Sequence, residues 1–159
     1  MKIVVPVKSF SKNSTLVDEL LHHFPDSKIN YEAKVFDKNE LIEYISGFDG
    51  LIAGLEKIDE TLLKACPSLK LIAKYGVGLD NIDFSACDKY GVKVLYVKGV
   101  NKISVAELAL GFMLSLNRNI YANCSELKNN IWNKSGGFDL SKKTVGIIGI
   151  GNIGKELIK

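Results

Sequence analysis

Apolar positions change period again and again between residues 1 and 97. KIVVPV (2–7) is a run rich in β-branched residues and predicts a strand. TLVDELLHHF (15–24) places apolar side chains at 16, 17, 20, 21 and 24, the period of a helix. Thr15 and Asp18 in it have capping-box spacing. INYEAKVF (29–36) predicts a second strand, and Asp37 with Glu40 opens a helix over KNELIEYI. GLIAGL (50–55) predicts a strand and ETLLKAC (60–66) a helix stopped by Pro67. LKLIAKYG (69–76) predicts a strand, NIDFSACDKYG (81–91) a helix ended by Gly91, and VKVLYV (92–97) the last strand. Strands alternating with helices over short links imply a parallel sheet with helices on both faces, an α/β domain of flavodoxin-like type.

The pattern changes at residue 98. KGVNKIS reads as a loop, and Ser104 with Glu107 reads as an S-x-x-E capping box opening a long helix. That helix is apolar nearly all round from 105 to 116, so several of its sides are expected to be covered. It is expected to continue in amphipathic form to about residue 131. NKSGGFDLSKK (133–143) is a polar, glycine-containing linker, TVGIIGI (144–150) predicts a buried strand, and a helix begins near Asn152. The expected organisation is a first domain over 1–99, a bridging helix over 100–132, and the opening of a Rossmann nucleotide-binding domain over 144–159.

Composition narrows the function classes. The 159 residues carry 47% hydrophobic and 25% charged residues, ordinary for a globular protein. The net charge of +3 is spread out, and the sole arginine is Arg118. Nucleic acid is therefore not the expected partner. Cys66, Cys87 and Cys124 lie far apart without a CxxC pair, so no zinc or redox site is expected and a reducing cytoplasm fits. The longest apolar run, 105–116, contains Glu107 and is shorter than the about 20 residues that span a bilayer, so no membrane partner is expected.

Two glycine clusters carry the candidate chemistry. GIGNIG places Gly149, Gly151 and Gly154 in G-x-G-x-x-G, at the end of an apolar run and the start of a helix. The first glycine permits the tight turn, the second the approach of a pyrophosphate, the third close packing of helix on strand. Gly149, Ile150, Gly151, Asn152, Ile153 and Gly154 are thus the expected cofactor contacts, with the helix N-terminus facing the phosphates. The acidic ribose ligand lies about 20 residues further on in such sites, beyond Lys159, so NAD is not distinguished from NADP by that residue. KYGVGLDNID (74–83) repeats the device: a strand runs into Gly76-Val77-Gly78, and Asp80 or Asn81 caps the next helix. Such a turn suits a small anion, a carboxylate above all, or else merely meets a positive φ. Lys74 and Lys98 read either as added positive charge or as solvated surface lysines.

KYGVGLDNID, NKISVAELALGFMLSLNR and TVGIIGIGNIGKEL, in this order, resemble the D-isomer-specific 2-hydroxyacid dehydrogenase family, and within it the D-3-phosphoglycerate dehydrogenase type. The resemblance implies NAD as cofactor and a D-2-hydroxy acid as substrate, 3-phosphoglycerate first. It also implies carboxylate binding at Lys74, Gly76, Val77 and Gly78, and a cleft lined by Asn101. The long helix after Ser104 would form part of a homodimer core. Phosphoglycerate enzymes often carry a basic residue just after the third strand, where this chain has Ala53-Gly54-Leu55-Glu56. Glyoxylate, hydroxypyruvate and D-lactate therefore stay open as substrates. So does a non-catalytic, NAD-sensing scaffold.

The family's catalytic histidine, glutamate and arginine follow the fingerprint, so no catalytic residue is assigned. His22 and His23 are adjacent on a helix and point about 100° apart. Glu107 is accounted for by its cap. Arg118 does not match the context of the family's arginine. The chain is thus expected to be an inactive N-terminal piece of an oxidoreductase, with an exposed apolar edge at 144–150.

Overall fold

The computed structural model describes residues 1–134 and 136–159, so Ser135 of the expected linker lies outside the described residues. The chain forms two compact units, Met1–Val97 and Lys98–Lys159.

The first unit is built on five parallel strands: β1 (Ile3–Val5), β2 (Lys28–Ile29), β3 (Gly50–Ala53), β4 (Leu71–Lys74) and β5 (Lys93–Leu95). Their order is β2-β1-β3-β4-β5, the flavodoxin-like winding. Alternate residues serve opposite faces. Val4, Leu51, Ala53 and Ile72 pack under α3 (Lys38–Ile45), α4 (Glu60–Ala65) and α5 (Phe84–Tyr90). Ile3 and Val5 pack with Phe10 of α1 (Lys8–Ser11) and Val17 of α2 (Ser14–His23). In-register pairing of Gly50–Ala53 with Leu71–Lys74 brings β3 and β4 to a common C-terminal edge.

Local chemistry moved several boundaries. The Asp37–Glu40 capping box is present, each side chain bonded to the other's backbone N–H. Thr15 and Asp18 do not form one; α2 starts earlier, because the Asn13 side chain accepts the N–H of Leu16. The strand expected over 29–36 stops at Ile29. Asn30, buried in the first unit, takes over from the ladder. Its Nδ2 donates to the carbonyls of Pro6 (2.8 Å) and Lys34 (2.9 Å), and its Oδ1 accepts the Lys34 N–H (3.0 Å). A side chain that satisfies nearby backbone offers it an alternative to the sheet. Neither Asp80 nor Asn81 caps α5; Asp83 does, accepting from Ala86 N. Gly91 ends that helix with φ 67°, as its position predicts.

The second unit holds α6 (Lys102–Asn117), α7 (Ile120–Lys128) and α8 (Asn152–Leu157), with α6 packed on α8. Ser104 and Glu107 are no capping box, since α6 already begins at Lys102 after Asn101. The helix also does not run unbroken to 131. Asn119 turns left-handed (φ 52°), and Asn117 Nδ2 donates back to the Met113 carbonyl (2.8 Å). The carbonyl of Asn117 instead accepts the N–H of Phe138 (2.7 Å), so the following segment satisfies the freed helix end. Residues 144–150 form no strand and are not buried: Val145, Ile148 and Ile150 are exposed. A strand needs a neighbour for its backbone groups, and none of the described residues of this unit provides one.

Candidate functional site

Because the strands of the first unit are parallel, the segments leaving β1, β3 and β4 meet on one edge. Ligands of open α/β sheets bind at that edge. A cavity of ≈ 510 Å³ lies there, lined by Pro6–Ser9 after β1, Lys34–Phe36 after β2, Gly54–Glu56 after β3 and Tyr75 after β4. Tyr75 is held by an edge-on contact with Phe10, ring centroids 5.4 Å apart. The expected anion loop follows directly. Gly76 has φ 131°, a conformation that favours glycine, and Gly76 and Gly78 are exposed while Val77 is half-buried.

Lys74 is not a solvated surface residue. Its ammonium donates to the carbonyl of Gly54 and to Asn81 Oδ1 (2.7 Å), using two of its three protons. Burial holds its pKa below the usual lysine value, with the charges of Glu56 and Asp80 opposing that shift. Asn81 Nδ2 donates in turn to the carbonyls of Gly54 (3.2 Å) and Glu56 (2.5 Å). Backbone bonds from Ile58 N to Asn81 O (2.8 Å) and from Asp83 N to Ile58 O (2.9 Å) complete the latch. The Glu56 carboxylate accepts the N–H of Gly54 (2.6 Å). Lys74 and Asn81 thereby fix the loop after β3 to the loop that carries Gly76–Gly78.

The second glycine cluster lies in the second unit. Gly149 has φ 90°, and a side chain on Gly151 would meet nothing within 4 Å, so the space in front of it is open. Gly154 is buried; a Cβ there would come 2.5 Å from the Gly149 carbonyl oxygen. Turn, opening and close packing thus fall in the order that a dinucleotide cradle requires. No side chain caps the first N–H groups of α8, which leaves them available to an anion. Ile150 and Ile153 are exposed. The Asn152 side chain packs on the backbone of Gly99, where a Cβ would come within 2.9 Å. Lys102 pairs with Glu156 at 3.2 Å. Lys159 first, then Lys102, keep the Glu156 carboxyl below its usual range. These residues fit the pyrophosphate of a dinucleotide.

Other candidates fall elsewhere. Asn101 precedes α6 half-buried, and its side chain makes no cap bond. His22 and His23 are exposed on α2, their rings in mutual contact at 5.1 Å, and neither lines the cavity. Arg118 pairs with Asp139 at 3.3 Å. Burial pushes the thiols of Cys66 and Cys87 up, and no group of His, Cys, Asp or Glu among the described residues is arranged to hold a metal. Among the described residues no helix is long and apolar enough to cross a membrane. Sequence reasoning missed the cavity walls at Pro6–Ser9 and Lys34–Phe36 and the tie at Asn30. The only local signals were a proline closing an apolar run and an asparagine closing a short one.

A doubly wound parallel sheet with an open C-terminal edge, together with a G-x-G-x-x-G turn at a helix start, defines a class of α/β proteins. Comparison with known proteins places the chain within it. The family described as "D-isomer specific 2-hydroxyacid dehydrogenase, catalytic domain" matches residues 9–151, and the chain belongs to that family. The chain is 41% identical over 126 residues to a hydroxypyruvate reductase of Thermotoga maritima, covering 77% of this chain and 41% of that protein. It is 38% identical over 125 residues to a D-3-phosphoglycerate dehydrogenase of Methanocaldococcus jannaschii, covering 77% of this chain and 24% of that one. A cofactor (NAD+) bound 3-phosphoglycerate dehydrogenase of Entamoeba histolytica superposes with a TM-score of 0.79 at 32% identity, over 99% of this chain and 49% of that chain. The chain therefore spans less than half the length of these relatives.

Proposed function

We propose that the full-length protein is an NAD-dependent oxidoreductase acting on the CH–OH group of a D-2-hydroxy acid, with 3-phosphoglycerate and 3-phosphohydroxypyruvate as the substrate pair. The observation that carries this reading is the pair of glycine loops, Gly76–Gly78 at the C-terminal edge of a parallel sheet and Gly149–Gly154 at the start of α8, whose Gly76, Gly78, Gly149 and Gly151 are exposed. Gly76, Val77 and Gly78 offer backbone N–H groups to the substrate carboxylate, in a loop held by Lys74 and Asn81. Asn101 is assigned to substrate binding on the family resemblance. Gly149, Ile150, Gly151, Asn152, Ile153 and Gly154 hold the pyrophosphate of NAD, whose nicotinamide supplies the hydride chemistry when bound. The exposed apolar side chains of α6, Leu108, Phe112 and Leu116 among them, support a homodimer. A cytoplasmic setting fits the three free cysteines.

Hydroxypyruvate or glyoxylate is the second reading, favoured by the acidic Glu56 where phosphoglycerate enzymes often place a base. The test is an assay of the full-length protein for reduction of NAD by D-2-hydroxy acids beside their L-isomers. Turnover of D-isomers alone is the expected result, and turnover of neither isomer of any acid sinks the proposal. The 159-residue chain by itself is expected to show none, since neither of its histidines reaches the cavity.

A further inference from the structure

We infer that Lys74 and Asn81 are positioning residues: they clasp both ends of the Gly76–Gly78 loop to the carbonyl of Gly54, and they act on a bound carboxylate only through that loop's backbone. This rests on the hydroxy-acid reading above, and it gives Lys74 a role other than the direct carboxylate contact that the family resemblance implies. Lys74 is the last residue of β4 and Asn81 follows the glycines, so the two side chains flank residues 75–80. Lys74 Nζ donates to Asn81 Oδ1 at 2.7 Å, which closes the loop at its base. Both side chains then donate to one acceptor, the Gly54 carbonyl just past β3. Asn81 Nδ2 reaches the Glu56 carbonyl as well.

The strands' own pairing ends before the glycines, and the clasp takes over from it. Ala53 and Lys74 are the last partners of β3 and β4. Beyond them the Tyr75 N–H donates to the Ala53 carbonyl (2.8 Å), and Ile58 and Ile82 meet again as an isolated parallel bridge. The Tyr75 ring is set against Phe10. Between these fixed points only the tip is bare, with Gly76 and Gly78 exposed. A Cβ on Gly76 would lie 3.7 Å from Lys74 Cε, so the lysine stem supports the glycine from contact distance. The ammonium has committed two of its three protons to the clasp, and the carboxylates of Glu56 and Asp80 act on its charge. It is therefore a poor free cation for a ligand and a good anchor for the loop. Backbone N–H groups held in place beforehand lose less freedom when an anion binds, so the clasp strengthens carboxylate binding without touching it.

The test is a double-mutant cycle in the full-length protein, read by NAD reduction with D-3-phosphoglycerate and with D-glycerate, and by hydrogen exchange of residues 75–80. Lys74→Met and Asn81→Ala should each raise KM for the acid about tenfold, leave kcat and the KM for NAD within about twofold, and speed exchange at 75–80. Because both act through one clasp, the double variant should exceed either single variant by no more than about twofold. Lys74→Arg, which keeps the donors, should recover most of the lost KM. Leu63→Ala, in the core beneath the sheet, should lower Tm and leave KM unchanged, which separates positioning from a mere loss of stability. KM effects that multiply to about a hundredfold in the double variant place Lys74 on the carboxylate itself and overturn the inference. An unchanged KM in Asn81→Ala overturns it too, and both results leave the hydroxy-acid reading standing. If the wild-type protein turns over neither acid nor any other D-2-hydroxy acid, that reading falls. Faster exchange at 75–80, no faster in the double variant than in either single one, then keeps the clasp as the loop's anchor, and unchanged exchange removes it.

Discussion

The two units of this chain treat their apolar residues in opposite ways. In Met1–Val97 they go inside: Ile45, Leu62 and Ile72 are fully buried, and one cluster on each face of the sheet accounts for most of the strand side chains. In Lys98–Lys159 the described apolar side chains stay largely outside: Ala106 is the one buried hydrophobic residue among them, while Leu116 is 78% and Trp132 72% exposed. Both stretches are rich in apolar residues. The difference is the number of layers. A sheet with helices on both faces supplies two interiors, whereas α6 and α8 supply one shared side. Hydrophobicity alone does not bury a residue; it requires a second surface to pack against.

The largest expected contrast comes from the cores. Leu62→Ala should lower unfolding free energy by about 2–5 kcal/mol in chemical denaturation, and Leu116→Ala by no more than about 0.5 kcal/mol. A loss from Leu116→Ala as large as that from Leu62→Ala in the dilute chain would mean that α6 has a covered face after all. Asn30→Ala comes next, at about 1–3 kcal/mol, because it leaves the buried Pro6 carbonyl and the partly buried backbone groups of Lys34 without their partner. A neutral Asn30→Ala would show that the loop is satisfied by solvent.

Phe112→Glu addresses the second unit, where Phe112 is 61% exposed. The wild-type chain is expected to self-associate in sedimentation, and the variant to weaken that association by about tenfold or more, or about 1.4 kcal/mol. Identical monomeric profiles for both would remove the homodimer proposal. A smaller effect separates two helix starts: Asn13→Ala should cost about 1 kcal/mol, since it removes the α2 cap, whereas Thr15→Ala should change little.

The smallest effect is pH dependence. In the first unit the backbone N–H of Asp37 holds Glu40 below its ordinary 4.5, that of Lys2 holds Asp49 below 3.8, and the Lys38 ammonium holds Asp59 below 3.8. Folding favours their charged forms, so the stability they add is complete above those ordinary values and is lost as pH falls through the lower folded values. Acid titration of the circular dichroism signal should show the first unit weakening only under about pH 4.5, and more weakly in high salt. Stability that rises on acidification through that range would contradict the pairing.

Several features were legible because their causes are local. The alternation of strand and helix periods predicts the five-stranded parallel sheet, Asp37 and Glu40 predict their capping box, and Gly91 predicts the end of α5. The spacing of Gly149, Gly151 and Gly154 predicts a turn, an opening and a close contact, all present. Helix caps were misread at Thr15 and Asn81 because a neighbouring residue, or a distant carbonyl, made the better bond, and at Ser104 because α6 already begins at Lys102.

What the sequence determined by itself is the order of elements and the places where backbone must be bare, since both follow from periodicity and from the absence of a Cβ. Tertiary structure decided which side chains share a site. Lys8, Lys34, Glu56 and Tyr75 come from four separate segments and meet only because parallel strands end on one edge. It also decided that 144–150, apolar enough for a strand, forms none, because pairing depends on a partner that local sequence does not contain.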